Sequence, residues 1–275
     1  MAEYKKVTVE SVERDRRRNE IITLIVSVVL LIGLLFLIHS GATQNFDDGV
    51  MQWNYNVRQD GLNTLLTVLT YLGNWQAIVI VCLLFLMYRD NMYLFGIPLS
   101  IAAILQITIN KALKLIMMRP RPDSAMWVIS EGGYSCPSGH ASVSIAVYFL
   151  LVLLLMRYMA PCATRKLFCI TVTILSFVIG LTRVYLGVHY LTDVIAGQLE
   201  GLAIAMIVLL FWAWFVEKKN IEVAKPLPPE YNVDFEKVHS NHLKKHDDPK
   251  MKKGSRLGKQ DTPKAPKESK FRKLK

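Results

Sequence analysis

An uncharged apolar run, IITLIVSVVLLIGLLFLI at residues 21–38, is long enough to cross a bilayer as one helix. Further apolar runs follow at 75–88, 93–116, 139–159, 167–186 and 193–216, making six spans. Residues 43–73 have a different pattern. Phe46, Val50, Trp53 and Val57 recur at helical spacing, with Asp47, Asp48, Gln52 and Asn54 elsewhere on the wheel. That pattern predicts an amphipathic helix at the membrane interface with Trp53 as an aromatic anchor; a helix packed on the bundle fits it too. The predicted fold class is therefore an all-α integral membrane protein, with six transmembrane helices and one interfacial helix. Small residues at Ser40 and Ala42 raise the alternative of a cleaved signal peptide. The apolar run is too long and its polar leader too extended for that, so a retained first span is expected.

Composition agrees and adds polar extensions. The chain has 275 residues, 52% of them hydrophobic, a mean hydropathy of +0.29 and a net charge of +11, which excludes an ordinary soluble enzyme. Residues 217–275 hold 17 Lys/Arg against 9 Asp/Glu and so supply most of the excess charge. The chain divides into a cytoplasmic leader (1–20), a membrane domain (21–216) and a basic cytoplasmic tail (217–275), which is too polar to bury a core and is expected to be disordered. Beside a membrane helix, such a tail is attracted to anionic lipid headgroups; no nucleic acid partner is expected. Its His239, His242 and His246 lack a carboxylate or cysteine framework and read as solvated, not metal-binding. Cys82, Cys136, Cys162 and Cys169 form no metal-ligand spacing, and no disulfide is expected. Acidic residues Asp47, Asp48 and Asp60 after span one, against Arg89, Arg157, Arg165 and Lys166 after spans two and four, orient both termini to the cytoplasm. The loops after spans three and five then face outward, and a plasma-membrane location is expected.

Those outward loops carry ionisable residues that topology does not require. In TRVYLGVHYLTD, residues 182–193, His189 and Asp193 are four apart and would share one helix face. A carboxylate there can fix the tautomer of the imidazole and free its other nitrogen to attack. Arg183 lies nearby in sequence, and Gly187 makes a bend between them plausible. At the end of span three, Lys114 and Arg121 suit phosphate oxygens, with Pro120 and Pro122 stopping the helix. At the start of span four, Pro137 suits a first helical turn whose Ser138 and Gly139 amides form an anion site, beside His140 as a candidate general acid. Each piece alone also has a bland reading: a capped helix end, snorkelling cations, or Ser135 as a helix cap. Within the last span, Glu200 is expected to face the bundle interior and pair with the stripe Gln106, Asn110 and Lys114.

Taken together, K-x6-R-P at Lys114–Pro122, P-S-G-H at Pro137–His140 and R-x5-H-x3-D at Arg183–Asp193 resemble the three signatures of the phosphatidic acid phosphatase type 2 superfamily. The resemblance covers about residues 45–200, including GYS before the second motif and YLGVHY around the third. Thr182 stands where the family usually has serine, which keeps the hydroxyl. The resemblance implies His189 as nucleophile forming a phosphohistidine, Asp193 orienting it, and His140 as general acid and then base. It implies Lys114, Arg121, Ser138, Gly139 and Arg183 as the phosphate cradle, no metal or other cofactor, and a bell-shaped pH profile. The implied substrates are lipid phosphates at the outer face: undecaprenyl diphosphate, phosphatidylglycerophosphate or phosphatidic acid. A lipid phosphotransferase using the same intermediate, and a non-catalytic membrane binding protein, stand as alternatives.

Overall fold

The computed structural model describes residues 9–88 and 92–219, and among them every regular element is helical. The tail from residue 220 onward, with its expected lipid contacts, and Arg89 lie outside the described residues. Helix α1 (Val9–His39) begins inside the polar leader and continues without a break through the first apolar run. It is followed by α2 (Gln44–Val57), α3 (Asp60–Thr70) and α4 (Trp75–Met87). Four longer helices complete the bundle: α5 (Met92–Met117), α6 (Gly139–Tyr158), α7 (Ala163–Tyr185) and α8 (Leu191–Lys218).

Five helices, α1 and α5 to α8, are long and apolar enough to cross a membrane by themselves. The apolar run at 75–88 is not. Helix α4 has 13 residues, about 20 Å at 1.5 Å per residue, against a hydrocarbon core of about 30 Å. Helices α3 and α4 meet at a 51° bend around a 3₁₀ turn, Tyr71–Gly73, and together they satisfy the requirement for one further span.

Helices α6 and α8 occupy the centre. Helix α8 packs against α1, α5, α6 and α7, and its inward face places Ile204, Val208, Leu209 and Trp212 in the same core as Leu99, Val147, Leu150 and Leu154. Ile25, Val29, Ile32 and Phe36 of α1 form an exposed stripe at helical spacing, as a lipid-facing surface requires. At one end of the bundle Arg157 pairs with Glu13 and Glu20 at 3.0 and 2.8 Å, and Arg17 pairs with Glu217 at 2.7 Å. The opposite end gathers the C-termini of α5 and α7 and the N-termini of α6 and α8.

Helix α2 lies at that second end, and it leaves most of its predicted apolar face exposed. Phe46, Trp53 and Val57 are exposed, whereas Asp47, Met51 and Asn54 are buried. Asp47 and Asn54 point into the protein while Asp48, Gln52 and Asn56 stay exposed, and the reason lies in the site the buried pair reaches.

Candidate active site

His189 does not sit on a helix. Helix α7 ends at Tyr185 and α8 begins at Leu191, so His189 lies in the five-residue connection, two positions after Gly187. Gly187 has φ +80°, and a Cβ there would meet the Met126 carbonyl oxygen at 2.1 Å, so glycine permits both the backbone and the close approach. The bend expected at Gly187 is present, and it removes the expected shared helix face of His189 and Asp193.

Asp193 is in the first turn of α8. Its Oδ2 accepts from the Tyr190 amide at 3.0 Å, satisfying one free N–H of that helix start. The His189 Nδ1 to Asp193 Oδ2 distance is 3.7 Å, beyond a direct hydrogen bond. Ser135 fills the gap. Its hydroxyl is 3.3 Å from His189 Nδ1 and donates a short hydrogen bond to Asp193 Oδ2. The bland alternative of Ser135 as a helix cap does not hold: the cap position of α6 is Ser138, and Ser135 links the two third-motif residues.

The other imidazole nitrogen, Nε2, lies 3.1 Å from Arg121 Nη1. A guanidinium can only donate, so Nε2 is the acceptor and the ring proton sits on Nδ1, facing Ser135. Burial, only partly offset by Asp193 and reinforced by Arg121, lowers the His189 pKa to about 3. The imidazole is therefore neutral, with its lone pair directed at a cation. Arg121 is held there by the carbonyls of Gly133 at 3.0 Å, Gly132 at 2.7 Å and Val188 at 2.8 Å.

The remaining predicted residues surround this pair. Lys114 Nζ donates to the carbonyls of Tyr134 at 2.5 Å and Ser135 at 3.2 Å, which ties the end of α5 to the second loop. Arg183 is buried and bonds Thr70 Oγ1 at 3.0 Å and the Glu131 carboxylate. Glu131 also lies 3.8 Å from Arg121, so one acidic side chain spans both arginines. His140, at the start of α6, places Nε2 2.6 Å from Asn74 Oδ1, which assigns the proton to Nε2 and leaves Nδ1 to take and release another. Arg183, His189, Arg121 and Lys114 are all near enough to act electrostatically on His140.

The second motif enters differently from its expectation. Pro137 precedes the helix and follows a cis peptide bond; Ser138 is the cap and Gly139 the first helical residue. The Ser138 amide donates to the Asp193 carbonyl at 2.9 Å, and the Ser135 amide to the Arg119 carbonyl at 2.9 Å, so backbone bonds join all three motif loops. The Ser138 hydroxyl is buried without a protein partner. Asn110 supports this loop from below: its amide reaches Glu200 Oε2 at 2.8 Å and the Pro137 carbonyl at 3.4 Å. Glu200 thus faces the interior and pairs with the polar stripe at Asn110.

Sequence reasoning missed Ser135 as a link, Asn74, Glu131, Arg119 and Asp47. For Arg119 a signal was present, since R-P-R-P holds two arginines. The others come from elements whose approach only the fold reveals.

Residues 95–218 match the PAP2 superfamily. Phosphatidylglycerophosphatase B of Bacillus subtilis is 31% identical over 176 residues, spanning 62% of this chain and 85% of that protein. The undecaprenyl-diphosphatase of Sulfolobus acidocaldarius is 30% identical over 182 residues, spanning 61% and 83%. The crystal structure of a transmembrane PAP2-type phosphatidylglycerolphosphate phosphatase from Bacillus subtilis superposes with a TM-score of 0.62 at 28% identity, covering 73% of this chain and 98% of that one. Three motif loops on one bundle end, an architecture shared with that structure, and relatives matched over most of their length lead to one assignment: the chain belongs to the PAP2 superfamily, as a membrane lipid phosphatase.

Proposed function

We propose that the protein hydrolyses a lipid phosphomonoester or diphosphate through a phosphohistidine on His189, at the outer face of the plasma membrane, with both termini in the cytoplasm. Undecaprenyl diphosphate, phosphatidylglycerophosphate and phosphatidic acid are the candidate substrates. In this reading α3 and α4 together form the sixth span, and α2 lies at the interface with Phe46 and Trp53 toward lipid.

The observation that carries the proposal is the polarity of the His189 ring. Nδ1 is backed through Ser135 to a buried carboxylate, and Nε2 looks at Arg121, 3.1 Å away. A phosphoryl group held by Arg121, Arg183 and Lys114, the Ser138 hydroxyl and the Gly139 amide would sit in front of that lone pair. Nε2 attacks phosphorus and forms the N–P bond as the P–O bond to the lipid alcohol breaks. The departing oxygen takes a proton from His140. Water then attacks phosphorus, gives a proton back to His140, and the N–P bond breaks to release phosphate. Three fixed cations neutralise the charge that grows on the phosphoryl oxygens. Asp193, through Ser135, offsets the positive charge that His189 gains.

A lipid tail has somewhere to go. An apolar cavity of about 600 Å³ lies between α4 and α5, lined by Trp75, Cys82, Ala103, Ile107, Lys111 and Val143 among others. Trp75 adjoins Asn74, the partner of His140, and Val143 and Lys111 are each about one turn from a site residue.

The test is phosphate release by purified protein in excess EDTA from the three lipids and a soluble phosphate ester, beside His189→Ala. Release from one lipid that vanishes in the variant is the expected result. A requirement for added Mg²⁺, or full turnover by His189→Ala, overturns the mechanism. A phosphoenzyme that forms but yields phosphate only to an added alcohol identifies a phosphotransferase.

A further inference from the structure

Behind Asp193 lies a buried ionic network that the three motifs do not include. Arg119 Nη1 donates to Asp193 Oδ1 at 2.7 Å and to Thr192 Oγ1 at 2.9 Å. Its Nη2 donates to Asp47 Oδ2 at 2.7 Å and to Gln44 Oε1 at 3.2 Å. Asp47, wholly buried, also accepts from the Thr192 amide at 3.1 Å and the Thr192 hydroxyl at 2.5 Å. The Arg119 guanidinium lies 4.2 Å from the centroid of the Tyr190 ring. Burial opposes its charge, but Asp193 and Asp47 outweigh burial and raise its pKa.

The far end of α2 makes a matching contact. Asn54 Nδ2 donates to the carbonyls of Val184 at 2.9 Å and Tyr185 at 3.1 Å, the last turn of α7. Asp47 and Asn54 are seven residues apart, two turns on one helix face. Between them they hold the end of α7 and the start of α8, the two anchors of the short connection that carries His189.

We propose that Arg119 and Asp47 are positioning residues for the reaction, so that α2, which lies outside the matched segment 95–218, is a working part of the active site. The inference rests on the reading of His189 as nucleophile. Two arguments support it. One guanidinium between two buried carboxylates is costly to desolvate, and well-packed apolar residues would hold the helices at least as well. The network's net charge of −1 also sits where His189 must accept positive charge as it attacks.

The experiment uses the full chain in lipid nanodiscs, with Arg119→Lys, Asp47→Asn and their combination, beside His189→Ala. Steady-state kcat and KM are measured for the lipid substrate and for a soluble phosphate ester, with activity scaled to folded protein. The expected result is a kcat lowered by about 10- to 100-fold with KM nearly unchanged, because a reacting group misplaced by about 1 Å costs on that order. The double variant should be no worse than the poorer single one, because both act through one network. Arg119→Ala should regain part of its lost kcat from added guanidinium at low millimolar concentration, which a merely structural defect would not do. Folded single variants with unchanged kcat, or a loss expressed only in KM, overturn the proposal. So does failure of Arg119→Lys, Asp47→Asn and Asn54→Leu alike to fold, which would make the network structural. If His189→Ala retains full turnover, the nucleophile assignment fails instead, whatever the Arg119 variants do.

Discussion

In the proposed mechanism, His189 owes its reactivity to being dry. Burial, Arg121 and Lys114 disfavour its protonated form more than Asp193 favours it, and the result is a pKa of about 3. The sign of the consequence is definite: a depressed pKa keeps the neutral, nucleophilic form as the pH falls. An imidazole with the ordinary pKa of about 6.5 would be only about 3% neutral at pH 5, a loss of about thirtyfold from its full reactivity. The expected outcome is that single-turnover phosphoenzyme formation, corrected for ionisation of the substrate phosphate, falls far less than the roughly 25-fold that a pKa of about 6.5 would give between pH 7 and pH 5. A fall of about 25-fold tracking a pKa near 6.5 would show that His189 titrates normally. The same depression ties stability to pH, since the unfolded chain takes up the proton below about 6.5 and the folded chain only near 3. Folding stability is therefore lost as the pH drops through that window. That His189, His140, Asp193 and the cations belong to loops that gather in one place was legible from residue type, spacing and topology. The 3.7 Å gap bridged by Ser135 was not, because His189 and Asp193 are four apart in sequence but do not share a helix.

At the scale of elements, the site depends on how closely α8 approaches α6. Gly197 and Gly201 lie four apart on α8, and Cβ atoms there would come within 2.4 Å of the Ser138 carbonyl and 2.3 Å of the Ser142 carbonyl. Small residues at this spacing let two membrane helices meet backbone to backbone. Ser138 caps α6 and donates to the carbonyl of Asp193, so the same contact holds the second motif against the third. Gly201→Ala is therefore expected to cost about 1–3 kcal/mol from overpacking and to lower the unfolding midpoint in detergent. Gly33→Ala on α1, with nothing within 4 Å of the added Cβ, should leave that midpoint unchanged. Equal midpoints for the two variants would disprove the close-contact account. Hydropathy revealed where the long helices lie, since runs of that length have no other stable place. It could not reveal the break at Asn74, which leaves α4 at 13 residues. Nor could it show which face of α2 is inward. The helical spacing was read correctly, but Asp47 and Asn54 are buried because ionic and amide partners await them, which no periodicity encodes.

For the whole molecule, the proposed function asks how one bundle end can serve a phosphate and a hydrocarbon chain together. The cations, histidines and capped helix ends cluster at that end, and the cavity between α4 and α5 begins beside them and is almost wholly apolar in its lining. The short α4, bent by 51° against α3, forms one wall of this cavity. Apolar runs in the sequence show that such helices exist, but a cavity is a property of their separation and so could not be read there. If the lipid tail occupies it, each buried methylene contributes about 0.8 kcal/mol. Ala103 lines the cavity at its α5 wall, so Ala103→Phe fills the space without replacing any residue of the proposed phosphate cradle. Displacing two methylenes would cost about 1.6 kcal/mol, on the order of tenfold in kcat/KM. That loss is expected for a long-chain lipid phosphate, while a short soluble ester is turned over as before. The ratio of the two activities removes any change in the amount of folded protein. A ratio equal to that of the unsubstituted protein would mean the tail lies elsewhere. A tenfold fall shared by both substrates would mean that the cavity wall acts on the catalytic residues themselves.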